Sequence, residues 1–136
     1  MRDTAFLILR LGLAIVMFPH GAQKALGWFG GEGISATVSG LTTAMHLPAV
    51  VAYLVIAAEF VGPILLVLGV LTRLAALAIG VDMFFAAVLV HAQNGFFLNF
   101  SGHQAGEGIE YHIALITIAL ALVIGGAGRF AVLPRT

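Results

Sequence analysis

The sequence predicts an all-α integral membrane protein built as a four-helix bundle. Of its 136 residues, 61% are hydrophobic and only 9% are charged, and the mean hydropathy is +1.11. Soluble domains carry about 25% charged residues, and a soluble chain this short has too little interior to hide so much apolar surface. The apolar residues also fall in four segments, which we predict as the spans of a single domain covering residues 1–136: residues 5–26, 49–71, 74–92 and 109–126.

The first segment has an apolar part that ends at Phe18, which is short for a span of about 20 residues. We therefore expect the helix to continue through Pro19 to the end of residues 5–26. It closes with the sequence "FPHGAQK", in which His20 and Lys24 are four residues apart and so share one helix face.

The second and third segments are separated by only Thr72 and Arg73, which predicts a tight antiparallel hairpin. The fourth segment stops at "GGAG", residues 125–128, a signal that ends helices. Both segments of the hairpin are long enough to cross a bilayer.

Two connections carry features of their own. Between the first two spans, Trp28 and Phe29 suit the headgroup boundary, where aromatic side chains concentrate, and residues 35–46 predict a short interfacial helix. Between the last two spans, residues 91–108 are rich in Gly, Asn and Phe and predict a loop that folds back on the bundle.

Basic residues indicate the orientation of the chain. With four spans both termini share one side, and Lys24 is the one basic residue of the opposite side. Cytoplasmic segments carry the excess of Lys and Arg, so we predict that both termini are cytoplasmic. The arginines on or nearest the terminal side are Arg2, Arg10, Arg73, Arg129 and Arg135.

Three charged residues fall inside the predicted spans, namely Arg10, Glu59 and Asp82. A lone charge in hydrocarbon costs at least about 2.5–3.5 kcal/mol, so such residues pair or face a wet cavity. Arg10 cannot lose its proton, and Asp82 is nearest to it in depth, so we predict that these two pair. Such a pair is sometimes retained for structural specificity alone. Glu59 is then either protonated or in contact with His20, Lys24 or His91.

These groups together predict a polar pocket near the outer interface. Glu59 would form its floor, with His20 and Lys24 above it and three residues as walls: His91, Glu110 and His112. The structural alternative for Lys24 is snorkelling to lipid headgroups. His46 and His103 are expected to be exposed loop residues.

Four stretches in order resemble the DoxX family of small four-helix membrane proteins. They are "LRLGLAIVMFPHGAQK", "AEFVGPILLVLGVLTRLAA", "HAQNGFF" and "GEGIEYHIALITIALALVIGGAGR". The resemblance implies a multi-pass protein of the bacterial or archaeal inner membrane and a redox setting, since relatives include a subunit of an archaeal thiosulfate:quinone oxidoreductase.

The first functional hypothesis is an oxidoreductase subunit that binds quinone or a similar small redox molecule. A quinone site needs an apolar slot and a few proton donors near the interface. The candidate catalytic residues are Glu59, His20, Lys24 and His91, and the candidate ligand-binding residues are Arg10, Asp82, Asn94, Phe96, Glu110 and Tyr111. The chain has no cysteine and no dinucleotide-binding signature, so a soluble or membrane redox partner would supply the electrons.

Two alternatives remain open. Imidazole and carboxylate groups suit a transition metal, with His20, His91, His112 and Glu59 as its ligands. The chain is otherwise a non-enzymatic small-solute carrier or an assembly subunit, because an intramembrane carboxylate also suits proton-coupled transport. Gly62 and Gly69 could pack within the bundle or between copies of a homo-oligomer. The zero net charge gives no indication of a nucleic-acid partner.

Overall fold

The computed structural model describes residues 1–133 and contains α-helices without β-strands over that range, which confirms the predicted all-α class. Arg135, one of the arginines used to predict orientation, lies outside the described residues. The α-helices are α1 (Arg2–Leu26), α2 (Gly33–Ala44), α3 (Ala49–Leu68), α4 (Thr72–Ala86) and α5 (Glu110–Gly125). A π-helical turn, Ala87–His91, and a 3-10 turn, Ala92–Asn94, extend α4.

Three of the described helical runs are long and apolar enough to cross a membrane: α1, α3 and α4 with its extension to Asn94. The helix α5 is also apolar but has only 16 residues, a length of roughly 24 Å at about 1.5 Å per residue. By the length and composition of its helices, the chain is a multi-pass membrane protein.

The hairpin between α3 and α4 turns earlier than predicted. Gly69 adopts a left-handed conformation, with φ of 68°, and its N–H caps carbonyls of the last turn of α3, a typical glycine helix stop. The turn therefore runs over residues 69–71. Thr72 and Arg73, which the sequence placed between the spans, are instead the first residues of α4.

Close glycine contacts set the packing of the helices. A Cβ atom on Gly21 of α1 would overlap the backbone of Glu59 and Phe60 in α3, so the two backbones touch. Three residues further along α3, a Cβ on Gly62 would lie 3.1 Å from Cδ1 of Ile79 in α4. The helix α5 packs against α4, and α2 lies against α1 and α3. Gly62 thus packs within the chain.

The start of α1 and the described residues after α5, 126–133, meet at one end of the helices, here called the terminal end. The backbone N–H of Arg129 donates to Oδ1 of Asp3 at 3.0 Å, and that of Val132 donates to the carbonyl of Leu68 at 2.9 Å. The segment after α5 therefore folds across the last turn of α3. Gly69 also packs within the chain, since a Cβ there would overlap Arg10 and Ala131.

Candidate functional site

A cavity of about 230 Å³ lies among α1, α3, α4 and α5 at the end opposite the terminal end. Its lining joins polar groups from four helices to a few apolar side chains. The lining residues are Met17, His20, Lys24, Glu59, Met83, Ala86, His91, Leu98, Glu107, Tyr111 and His112. All four predicted catalytic residues are among them.

The base of the cavity holds an ion pair between α1 and α3. The ammonium group of Lys24 donates to Oε2 of Glu59. The carboxylate is only 5% exposed, whereas Lys24 is 30% exposed. The backbone contact at Gly21 makes this pair possible, because Lys24 lies one helical turn beyond it on the same face. Of the three partners that the sequence allowed for Glu59, the structure selects Lys24.

The predicted pair between Arg10 and Asp82 is wrong. Arg10 is fully buried at the terminal end, where its Nη2 donates to the backbone carbonyl of Phe130. Asp82 instead interacts with the carboxyl group of Glu59 on the neighbouring helix. Depth along the helices could not reveal this arrangement, because the segment after α5 folds back and brings a carbonyl oxygen to Arg10.

Aromatic and imidazole groups form the wall opposite Lys24. The rings of His91 and His112 lie with their centroids 4.2 Å apart, and the Tyr111 ring lies 5.8 Å from that of His112. Nδ1 of His91 lies 2.9 Å from the carbonyl oxygen of Glu107. His20 stands exposed at the rim of the cavity.

The metal alternative receives no geometric support. Among residues 1–133, no three His, Cys, Asp or Glu side chains are placed so that they could hold a metal ion. Two of the proposed ligands, His91 and His112, have rings inclined at only 39° to each other. His91 and His112 share one wall of the cavity, and His20 lies at its rim.

The loop of residues 95–109 covers one side of the cavity and contributes Leu98 and Glu107 to it. The carboxylate of Glu107 accepts a hydrogen bond from the backbone N–H of Asn99 at 2.6 Å, and Glu110 accepts one from that of Leu98 at 3.3 Å. The side chain of Asn94 donates to the carbonyl of Glu107 at 3.1 Å. These polar side chains hold the loop in place.

Several predicted ligand-binding residues do not line the cavity. Asn94 and Glu110 support the loop instead, Phe96 is 49% exposed, and Arg10 lies at the terminal end. Five lining residues were not predicted from the sequence: Met17, Met83, Ala86, Leu98 and Glu107. Met17 had a usable signal, since it lies three residues before His20 on the same helix face. Glu107 comes from an irregular loop and had none.

Comparison with known families gives the chain its classification. The family model described as DoxX matches residues 5–92, more than half of the chain. The chain belongs to the DoxX family. The matched region of this DoxX protein includes Lys24, Glu59 and Asp82 but ends before Tyr111 and His112. Comparison with curated proteins and with solved structures finds no match.

Proposed function

We propose that this DoxX protein is an oxidoreductase-associated subunit of the inner membrane that binds the head group of a quinone, or a similar small redox molecule, in the cavity. The observation that carries the proposal is the Lys24–Glu59 ion pair at the base of a cavity that also has imidazole and phenol groups in its walls. Charged groups in membrane spans are costly and belong with functional sites by default. Quinone carbonyl oxygens accept the hydrogen bonds that such groups donate.

The size and lining of the cavity support a small ring as the ligand. Its volume of about 230 Å³ lies below the roughly 300–1,000 Å³ of pockets for drug-sized ligands. Met17 and Met83 supply apolar surface beside the polar wall, and methionine makes favourable contacts with aromatic rings. A dinucleotide is too large for this space, so we propose that a partner protein delivers the electrons.

Each polar residue takes a stated role in this proposal. Lys24 and His20 donate hydrogen bonds to one carbonyl oxygen of the ligand, and Glu59 orients the Lys24 ammonium. The opposite wall, with His91, Tyr111 and His112, meets the other carbonyl oxygen. The cavity is thus amphipathic, as most small-molecule sites are.

We further propose that α1, α3, α4 and α5 form one four-helix bundle, which is a single domain, with both termini in the cytoplasm. The supporting observation is the charge distribution, since Arg2, Arg73 and Arg129 belong to the terminal end and Lys24 to the other. Positive residues favour the cytoplasmic side. The cavity then opens toward the outer leaflet.

A second candidate function is proton-coupled transport of a small solute. It is favoured by the contact between the carboxyl groups of Asp82 and Glu59 beside a single ammonium group, because carboxyl groups inside membranes commonly relay protons. The ligand content of the purified protein separates the two candidates.

The test is extraction of the detergent-purified protein with organic solvent, an ultraviolet spectrum of the extract, and elemental mass spectrometry for metals. We expect stoichiometric quinone in the wild type and in His103→Ala, whose side chain is exposed outside the cavity. Lys24→Met, Glu59→Gln and His20→Ala should retain little quinone while remaining folded. Stoichiometric metal, or wild-type quinone content in all three variants, would contradict the proposal.

A further inference from the structure

The packing of α3 against α4 places two carboxyl groups at one level. Gly62 meets Ile79 where the helices cross. Glu59 lies three residues before Gly62, and Asp82 lies three residues after Ile79. Because the two helices run antiparallel and residues three apart share a face, these steps bring Glu59 and Asp82 opposite each other.

The Asp82 carboxyl group lacks a donor in this arrangement. Its Oδ2 atom is buried, and no N–H or O–H group of residues 1–133 donates to it. Its side chain interacts with the carboxyl group of Glu59 and, through charge alone, with the ammonium of Lys24. Two carboxylates cannot hydrogen-bond to each other unless one of them carries a proton, and a buried acceptor without a donor costs about 1–3 kcal/mol, more for a charged group.

The balance of charge also indicates that one of the two carboxyl groups carries a proton. Lys24 is the one ammonium group at this pair, and it contacts Glu59 directly. The other titratable groups near it are His20 from α1, His91 from the end of α4, Tyr111 and His112 from α5, and Glu107 from the loop; α2 contributes none. One lysine balances one carboxylate, and two carboxylates facing each other away from water do not both ionise.

We propose that Glu59 and Asp82 share a single proton, so that Lys24, Glu59 and Asp82 form a neutral, proton-exchanging triad below the cavity. The pair would favour ligands with a carbonyl oxygen that accepts a hydrogen bond at the cavity base. That use of the proton rests on the proposed function, whereas the presence of the proton does not. Asp82, which does not line the cavity, is a positioning residue that acts through Glu59.

Infrared spectroscopy of the full chain in lipid tests the proposal, because a protonated carboxyl group has its own C=O stretching band. Only six Asp and Glu residues are present, which makes assignment practical. We expect such a band at neutral pH in the wild type, with a shift in heavy water. Asp82→Asn and Glu59→Gln should each abolish it, and the control Glu32→Gln, at the exposed start of α2, should retain it.

A conservative variant and quinone analysis test the shared proton even if Asp82→Asn or Glu59→Gln does not fold. Asp82→Glu retains a carboxyl group and should move the band rather than abolish it. Absence of the band in the wild type, or its persistence in both Asp82→Asn and Glu59→Gln, overturns the shared proton. Quinone analysis of the same samples separates the two proposals: a band without quinone supports the triad and contradicts the quinone site, and quinone without a band does the reverse.

Discussion

The two ends of the helices bind their charged side chains in different ways. At the terminal end, Arg10 is wholly buried and donates to a backbone carbonyl of Phe130. At the cavity end, the Lys24–Glu59 pair keeps the ammonium partly exposed beside an open space of about 230 Å³. The guanidinium of Arg10 meets fixed backbone through Nη2 alone, while its buried Nε and Nη1 have no partner among the described residues. The ammonium of Lys24 meets a titratable side chain next to room for a ligand.

Charges in apolar spans therefore differ in what holds them, not only in their depth. In sequence, Arg10 and Glu59 look alike, because each interrupts a run of hydrophobic residues. A charge held by backbone joins two segments of the chain, here α1 and the segment after α5, and leaves nothing for a ligand to displace. A charge held by another side chain beside a cavity can change partner when a ligand enters, so it is the better candidate for function.

The largest expected effect comes from the contact that makes the cavity-end ion pair possible. In Gly21→Ala, the new Cβ would overlap backbone atoms of Glu59 and Phe60, which cannot move aside as a side chain can. We expect a loss of stability above the roughly 1–3 kcal/mol of ordinary overpacking, together with loss of the Lys24–Glu59 pair. Thermal unfolding and monodispersity in detergent would measure it.

The matched control lies in the same helix. Nothing stands within 4 Å of a Cβ placed on Gly12, and alanine favours helix over glycine by up to about 1 kcal/mol. Gly12→Ala should therefore leave stability unchanged or raise it slightly. Equal stability of Gly21→Ala and Gly12→Ala would show that the backbone contact between α1 and α3 does not hold.

The part of the molecule that the sequence predicted well is the part set by local pattern. Apolar runs and the glycine stops determine where α1 and α5 lie, and the helix spacing of His20 and Lys24 put both on the cavity. The partners of Glu59 and Arg10 depend instead on which segments come close in the folded chain. The contact at Gly21 selects Lys24 for Glu59, and the fold-back of residues 126–133 gives Arg10 a carbonyl instead of Asp82. Neither of these contacts between segments leaves a periodic signal in the sequence.

At the terminal end, the residue to change is Arg10. Arg10→Met keeps most of the side-chain volume but removes the hydrogen bond to Phe130. Hydrogen bonds to charged groups contribute about 1.5–3 kcal/mol, but methionine also removes the unpartnered Nε and Nη1 atoms of Arg10. We therefore expect stability to fall by no more than that amount. Limited proteolysis should then cut the segment after α5 more readily, while the quinone content stays at the wild-type level.

Arg73 provides the comparison for Arg10, since its Nη1 also donates to a backbone carbonyl, that of Val123, at 2.7 Å. Arg73 is exposed, so water can replace the lost partner and Arg73→Met should have a much smaller effect on stability. Loss of quinone in Arg10→Met without a change in stability would remove the distinction between the two ends.

The smallest effect is expected at the histidines of the cavity end, where two residues of one type differ only in placement. His91 lines the cavity, packs on the His112 ring and lies 2.9 Å from the carbonyl of Glu107, whereas His103 is exposed in the loop and lines nothing. A single neutral hydrogen bond contributes about 0.5–1.5 kcal/mol, which corresponds to a change in affinity of about twofold to thirteenfold. We expect His91→Ala to weaken binding of a short-tailed benzoquinone by that factor, and His103→Ala to leave it unchanged, in equilibrium titrations of the purified protein. Equal affinities for the two variants would remove His91 from the site, and a larger loss in His103→Ala would extend the site to the loop surface.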